Sequence, residues 1–413
     1  MHQLLDYTKT TLFWQLRAKK MGSKFDLWLY LFWLLGPFIL LLERTPADAW
    51  LSVISICFVI RSIWHRSWSW VRTPWVITSI IFFAICLLSA LNSELSSFSL
   101  AETILWTRFP LFACAVVFWL CQTRADAYLY LCSVVLATLA MFIILTLEMS
   151  FNGWTEGRLI WPYGDKVTGN YLTKVGLPAF IVITGIAFTC RDKLVLSLSS
   201  TFTLLGLVFG IFTGERMNLL VKLHALFLGA ITWRPRAAIC LSGLLVSAFG
   251  IAFALLVDPN LLHRWTYHLA KTLPFYSDSP YLEVYTTALK AMDTNFLLGI
   301  GPATYEQLCP AIMERVEVER FVCQPHPHNY FLQALIETGF IGFFSLLLFA
   351  AVLTLTTIRN GKNRDLFKSS AWIIVFTLLF PLNSSSDLFG QWGNTFLWPS
   401  IAWALATTHY TRD

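Results

Sequence analysis

Long apolar runs separated by short polar joints repeat along this chain. They cover approximately Leu27–Leu42, Ala49–Ile60, Trp75–Leu91, Ile104–Leu120, Ala127–Leu147, Tyr171–Thr189, Leu194–Phe212, Asn218–Ile231, Ala237–Val257, Asn329–Thr357, Ser370–Leu382 and Trp392–Ala406, twelve in all. About 20 apolar residues in a helix cross the hydrocarbon core of a bilayer. The pattern therefore predicts an all-α polytopic membrane protein with about twelve transmembrane helices. The second and eighth runs are short and require tilt or extension at their ends. One long polar stretch, about Asp258 to Pro327, interrupts the series. It divides the chain into nine helices over 1–257, a large loop over 258–328 and three helices over 329–413. No internal repeat of the kind that builds inverted-repeat transporters is visible.

Composition agrees with the pattern. The chain is 56% hydrophobic and 13% charged, against about 25% charged in an average soluble domain. Eighteen tryptophans suit a chain with many ends at the membrane–water interface. The net charge of +6 does not imply nucleic-acid binding, because Lys and Arg fall in short clusters between apolar runs. Counted over alternate short loops, eighteen Lys and Arg lie on one side and six on the other, with the long loop and Lys222 left out. By the positive-inside rule both termini are cytoplasmic and the long loop faces outward. The polar and basic start, residues 1–24, has no small-residue cleavage site after the first run, so that run is expected to be retained. This orientation gathers Arg158, Arg216, Arg264, His328 and Asp387 on the outer side. A channel or pump would place its ionisable groups near mid-span; a site at the outer surface points to chemistry on a lipid-anchored molecule.

The candidate chemistry sits at polar interruptions. In Gln324-Pro325-His326-Pro327-His328-Asn329-Tyr330, two prolines delay the helix until after Pro327. His328 and Asn329 are therefore expected at or near its first turn, where free amides and the positive end of the dipole point outward. Neutral imidazole is well suited to take a proton near pH 7. Two histidines at i, i+2 with no further ligand at suitable spacing are a weak metal signal. Thr213-Gly214-Glu215-Arg216-Met217 puts an arginine beside hydrocarbon, where it needs a partner, the interface or an anion. Glu215 and headgroup contact are the simple alternative. Arg158 lies in a turn-rich loop and Arg264 beside Trp265, which fits an interfacial anchor equally well. Within the large loop, Tyr281–Met292 reads as a short amphipathic helix with Leu282, Tyr285, Leu289 and Met292 on one face. The stretch Asn260–Gln324 is read as a helical cap over the site. Cys309 and Cys323 fall in it on the expected oxidising side, where a disulfide would close a loop worth ~3 kcal/mol on the chain-entropy model; two buried thiols are the alternative. Asp387 is a candidate carboxylate to orient the histidine.

The whole chain resembles the bacterial O-antigen ligases, within the group of ligases and polymerases that act on undecaprenyl-linked glycans. His326-Pro327-His328-Asn329 followed by Glu337-Thr338-Gly339 is similar to the family's histidine motif, with His328 at the catalytic position. Thr213–Leu220 resembles its threonine-x-x-arginine segment, with Arg216 as the motif arginine. Arg264 matches the arginine just inside the large loop, Ser386-Asp387 a late serine–aspartate pair, and Asn295–Pro302 a Pro-Leu-x-Gly-x-Gly segment. Members often carry a further arginine at the start of the loop helix, where Pro280 and Tyr281 stand here; Arg158 or Lys290 is expected to replace it. The resemblance implies a GT-C-like, metal-independent inverting glycosyltransferase of the Gram-negative inner membrane, with its site facing the periplasm. It implies a donor glycan on undecaprenyl pyrophosphate, a lipid A–core acceptor, contact with membrane lipids, no cofactor and a monomeric chain. His328 would be the catalytic base, with Arg216, Arg264 and Arg158 on the pyrophosphate and His326, Asn329, Asp387 and Glu215 in support. A polymerase that extends a second undecaprenyl-linked glycan is the nearest alternative; a transporter is the alternative of a different class.

Overall fold

The computed structural model describes residues 24–164, 168–233, 258–267, 279–292, 295–316, 321–360 and 365–409, with the single residues 250, 253 and 271. Within them the chain is helical, with no strand. Among the described residues before the large loop, the longer helices are α1 (Lys24–Leu34), α2 (Gly36–Leu42), α3 (Arg44–Trp64), α4 (Pro74–Leu91), α5 (Ser96–Trp106), α6 (Arg108–Ala115), α7 (Arg124–Phe151), α8 (Leu177–Thr189), α9 (Lys193–Phe212) and α10 (Arg216–Trp233), with short turns of helix at Ser69–Arg72, Val116–Leu120 and Thr168–Val175. The loop contributes α11 (Pro259–Trp265), α12 (Pro280–Ala291) and α13 (Tyr305–Arg315), and α14 (Tyr330–Asn360), α15 (Leu366–Leu378) and α16 (Gln391–His409) follow.

Each predicted run that falls on described residues is helical; of the ninth, Ala237–Val257, only Gly250 and Phe253 are described, and the first 23 residues lie outside the described ones. Six helices are long and apolar enough to cross a membrane, or up to eight if each bent pair is one span, among the described residues. That is fewer than the twelve expected. The eighth run forms the 18-residue α10, but Arg216, Asn218 and Lys222 lower its hydropathy. The eleventh forms a helix of only 13 residues. The twelfth, α16, is buried continuously from Asn394 to Thr408. A helix enclosed by other helices does not need to be oily. Its polar groups are satisfied inside the bundle: Ser400 Oγ donates to the Lys174 carbonyl at 2.6 Å and Trp403 Nε1 to the Ala127 carbonyl at 2.9 Å.

Three apolar runs before the large loop are interrupted midway, the first of them between α1 and α2, which meet at 55°. α5 ends at Trp106, and Arg108 opens α6 within the same apolar segment, Ser96–Leu120. Arg108 therefore belongs to the span and not to a loop, and Asp48 pairs with it at 2.8 Å. A buried guanidinium needs such a partner. The sixth run is broken into Thr168–Val175 and α8, which meet at 52°. Lys222, the expected mid-span charge, is buried and donates to the Gly206 carbonyl at 2.7 Å.

Part of the large loop forms a small core of its own. Ala288 and Ala291 of α12 pack with Tyr305, Leu308, Ile312 and Met313 of α13 and with Ile336 of α14. The predicted loop helix is present, but its inner face is Val284, Thr287, Ala288 and Ala291, and Leu289 is exposed. Small side chains let α12 lie close to α13; spacing alone favoured the larger ones. Cys309 and Cys323 are joined as a disulfide, with Cα atoms 5.8 Å apart.

Candidate active site

The C-terminus of α9 is the first organising point. Its last carbonyls have no partner within the helix, and side chains from two distant segments take them. Trp154 Nε1 donates to Phe212 O at 2.9 Å, Trp265 Nε1 to Ile211 O at 3.3 Å and Arg264 Nε to Gly214 O at 2.6 Å. Gly214 ends the helix with φ +63°, a conformation that glycine adopts without strain. A Cβ there would overlap the Gly157 carbonyl oxygen and crowd the Arg158 and Arg264 stems at 3.1 and 3.2 Å. Three segments meet over one glycine, and this brings Arg158, Arg216 and Arg264 into each other's fields. Burial and those two neighbouring arginines push the Arg264 guanidinium down to about 10, still charged at neutral pH. Glu215 holds Arg158 at 3.2 Å.

The histidine corner is the second. The helix starts one residue later than Asn329, which is its cap: the Asn329 side-chain oxygen accepts from the Phe331 and Leu332 amides, both at 3.0 Å, and its amide group donates to Pro381 O at 2.7 Å. Asn329 therefore anchors the corner to the 381–386 loop and starts α14. His328 is held at φ +55° between that cap and Pro327, and its carbonyl accepts from the Ser385 amide at 2.8 Å. The His326 and His328 rings meet edge to face at 4.5 Å, and Tyr281 of α12 lies on the other side of His328 at 5.8 Å. Burial lowers the pKa of His328, and burial together with its neighbour pushes His326 down to about 4. Both imidazoles are neutral near pH 7. Asp387, expected to orient the histidine, accepts instead from Gln333 Nε2 at 2.6 Å and the Phe389 amide at 2.9 Å. It acts on His326 through its charge.

A pocket of about 390 Å³ joins the two points. Arg158 and Glu215 form one part of its wall, and His326, His328, Tyr281, Tyr330 and Ser384–Ser386 another. Arg216 and Arg264 do not line this pocket themselves but interact through their charge with Arg158, Glu215 and Tyr281, which do. No three His, Cys, Asp or Glu side chains gather as a metal-binding group among the described residues. The structure thus brings all three predicted arginines, Glu215 and both histidines to one place. The sequence reading missed Lys174, Tyr281, Tyr330 and Ser386 as parts of the wall. Tyr281 enters the sequence reading as the first residue of the amphipathic loop helix, Ser386 only through the resemblance, and Lys174 only as a charge in or beside an outer loop. What could have flagged Lys174 is its place inside an otherwise apolar run.

The arrangement offers fixed positive charge beside a neutral base, which suits displacement of an anionic leaving group by a hydroxyl. Residues 201–347 match the family model described as O-antigen ligase, and this supports membership of the chain in that family. The match includes Arg216, Arg264 and both histidines. No curated protein matches the chain.

Proposed function

Taking membership of the O-antigen ligase family as the premise, we propose that this chain is a ligase. It moves O-antigen polysaccharide from undecaprenyl pyrophosphate to a sugar hydroxyl of lipid A–core, at the periplasmic face of a Gram-negative inner membrane, as a GT-C-like inverting enzyme. The observation that carries the reading is the shared pocket: Arg158, from the arginine cluster around Gly214, on one side and a neutral, half-buried histidine pair on the other.

A diphosphate leaves readily without an acid, so what accelerates its departure is positive charge already in place as negative charge grows. Arginine is suited to that, being always charged and able to grip two phosphoryl oxygens at once. The acceptor hydroxyl attacks the anomeric carbon from the face opposite the diphosphate and passes its proton to neutral His328. The carbon–oxygen bond to the diphosphate breaks, the leaving oxygen keeps the electron pair, and the configuration inverts. Tyr281, against the His328 ring and within the field of Arg216 and Arg264, bridges the two halves.

The test is complementation of a ligase-null host, read as lipopolysaccharide ladders on gels. The unmodified chain is expected to restore the ladder and both His328→Ala and Arg216→Ala to lose it. A null host that stays ladder-free, with long chains regained in a polymerase-null host, would make the chain a polymerase instead. A ladder that survives His328→Ala would remove the histidine from the base role.

A further inference from the structure

We propose that Lys174 is a fourth cation of this site and binds a phosphoryl oxygen of the donor diphosphate. The donor's identity rests on the ligase reading; the anion site itself rests on the geometry that follows.

Lys174 sits on the π-helical turn Tyr171–Val175, where the broken span bends. Such turns are rare and recur at functional sites because they turn side chains out of the regular helical register. The side chain is buried, with the residue 6% exposed. Its Nζ donates to Ser386 Oγ at 2.8 Å and to the Gly393 carbonyl at 3.4 Å. Both acceptors are neutral, and an ammonium has three N–H donors. Among the described residues no carboxylate lies within ion-pair distance of Lys174, and Glu215 reaches it only through its longer-range field. A buried ammonium with no counter-charge at contact distance is unfavourable. The pocket that Lys174 lines is the same one that Arg158 and the histidines line, so an anion there supplies the missing charge.

The surroundings hold the ammonium in place. Ser386 Oγ is also 3.1 Å from the Tyr330 hydroxyl, and a Cβ at Gly393 would overlap Ser386 Oγ. The same short loop touches the base, since the Ser385 amide binds the His328 carbonyl. Lys174 and His328 are therefore both seated on residues 385 and 386. Lysine binds phosphate as a point charge, which complements Arg158, the arginine that lines the same pocket.

The experiment uses the full chain in nanodiscs of zwitterionic phosphatidylcholine, titrated with inorganic pyrophosphate and followed by thermal melting. The unmodified chain is expected to show a saturable rise in Tm. Lys174→Met should weaken the apparent affinity at least tenfold, and Lys174→Arg should stay within threefold of the unmodified chain. The proposal is overturned if the unmodified chain does not respond, or if Lys174→Met responds like it. It is equally overturned if Lys174→Met melts lower without ligand and Lys174→Arg does not restore pyrophosphate binding, because the lysine would then be structural. Nanodiscs containing phosphatidylglycerol form a separate arm: a lysine-dependent rise there without pyrophosphate would mean a lipid headgroup, and would overturn the donor assignment. Because none of these readouts is transfer, failure of the ligase reading shows up only in the complementation test.

Discussion

His328 combines three constraints: a left-handed backbone, a preceding proline and a half-buried ring. Non-glycine residues seldom hold φ near +55°, and asparagine is among those that tolerate it best. His328→Asn is therefore expected to keep the fold, with an unchanged melting temperature, while transfer falls ~10²–10⁴-fold, the usual contribution of a positioned base. The pH dependence has a definite sign. Burial disfavours the imidazolium, so the folded pKa lies below the ordinary 6.5. The neutral base is then present at and above neutrality and is lost only as pH falls through that lowered value. His326, pushed down to about 4, stays neutral through the same range. A rate profile of purified enzyme should be flat from pH 8 to about 6.5 and decline below it; an acid limb centred above 6.5 would contradict the assignment. At this scale the sequence was informative wherever charge met hydrocarbon. Arg216 stood out for that reason, and the structure adds that Gly214 gathers the other two arginines around it. Lys174 was hidden, since its partners Ser386 and Gly393 are more than 200 positions away in the chain.

Two motifs that look independent in sequence form one joint. α14 breaks at Gly339, which has φ +66° and ψ −171°, a region open essentially to glycine alone. The break leaves amides and carbonyls of α14 unpaired, and the segment Asn295–Pro302 takes them. Ile300 and Gly301 amides donate to Ile336 and Glu337 carbonyls at 3.1 and 2.9 Å, and the Phe340 amide donates to Phe296 O at 3.0 Å. Ser89 and Ser93, at the end of α4 and just beyond it, close the joint from the far side by bonding Glu337 O and Ile300 O. A Cβ on Gly339 would overlap the Leu297 carbonyl oxygen. Gly339→Ala is expected to destabilise by about 2 kcal/mol or more through strain and clash, read as a lower melting temperature in detergent. Gly153→Ala, at a positive φ but with nothing within 4 Å, should be milder. Equal effects would mean that the joint contributes nothing beyond the local backbone. The helices themselves were legible as apolar runs. Their internal breaks at Thr107, Gly176 and Gly339 were not, because an unbroken apolar run gives no sign of where backbone hydrogen bonds pass to a neighbour.

At the scale of the whole molecule, the charge asymmetry between alternate loops predicts the orientation. Moving Arg108 and Lys174 from the outer loops into spans leaves four Lys and Arg there and makes the bias stronger. Alkaline phosphatase fused after Lys290 is therefore expected to be active, and green fluorescent protein fused at Arg412 to fluoresce. The reverse pattern would place the pocket on the cytoplasmic side and remove the proposed donor and acceptor from its reach. The disulfide between Cys309 and Cys323 is compatible with the predicted orientation, since such bonds persist in oxidising compartments.

By itself the sequence determined the class: apolar runs leave a chain few options but helices in a bilayer, because lipid offers backbone groups no partners. It also marked the arginines and the histidine corner, since charge and proline stand out against such a background. Tertiary structure alone decided that the twelfth run is the enclosed centre of the bundle. It decided, too, that α12 turns its small residues inward, and that Arg158, Lys174, His328 and Ser386 share one pocket. These are contacts between residues far apart in the chain, set by packing and by where unpaired carbonyls, amides and charges find partners, and periodicity along the chain carries no record of them.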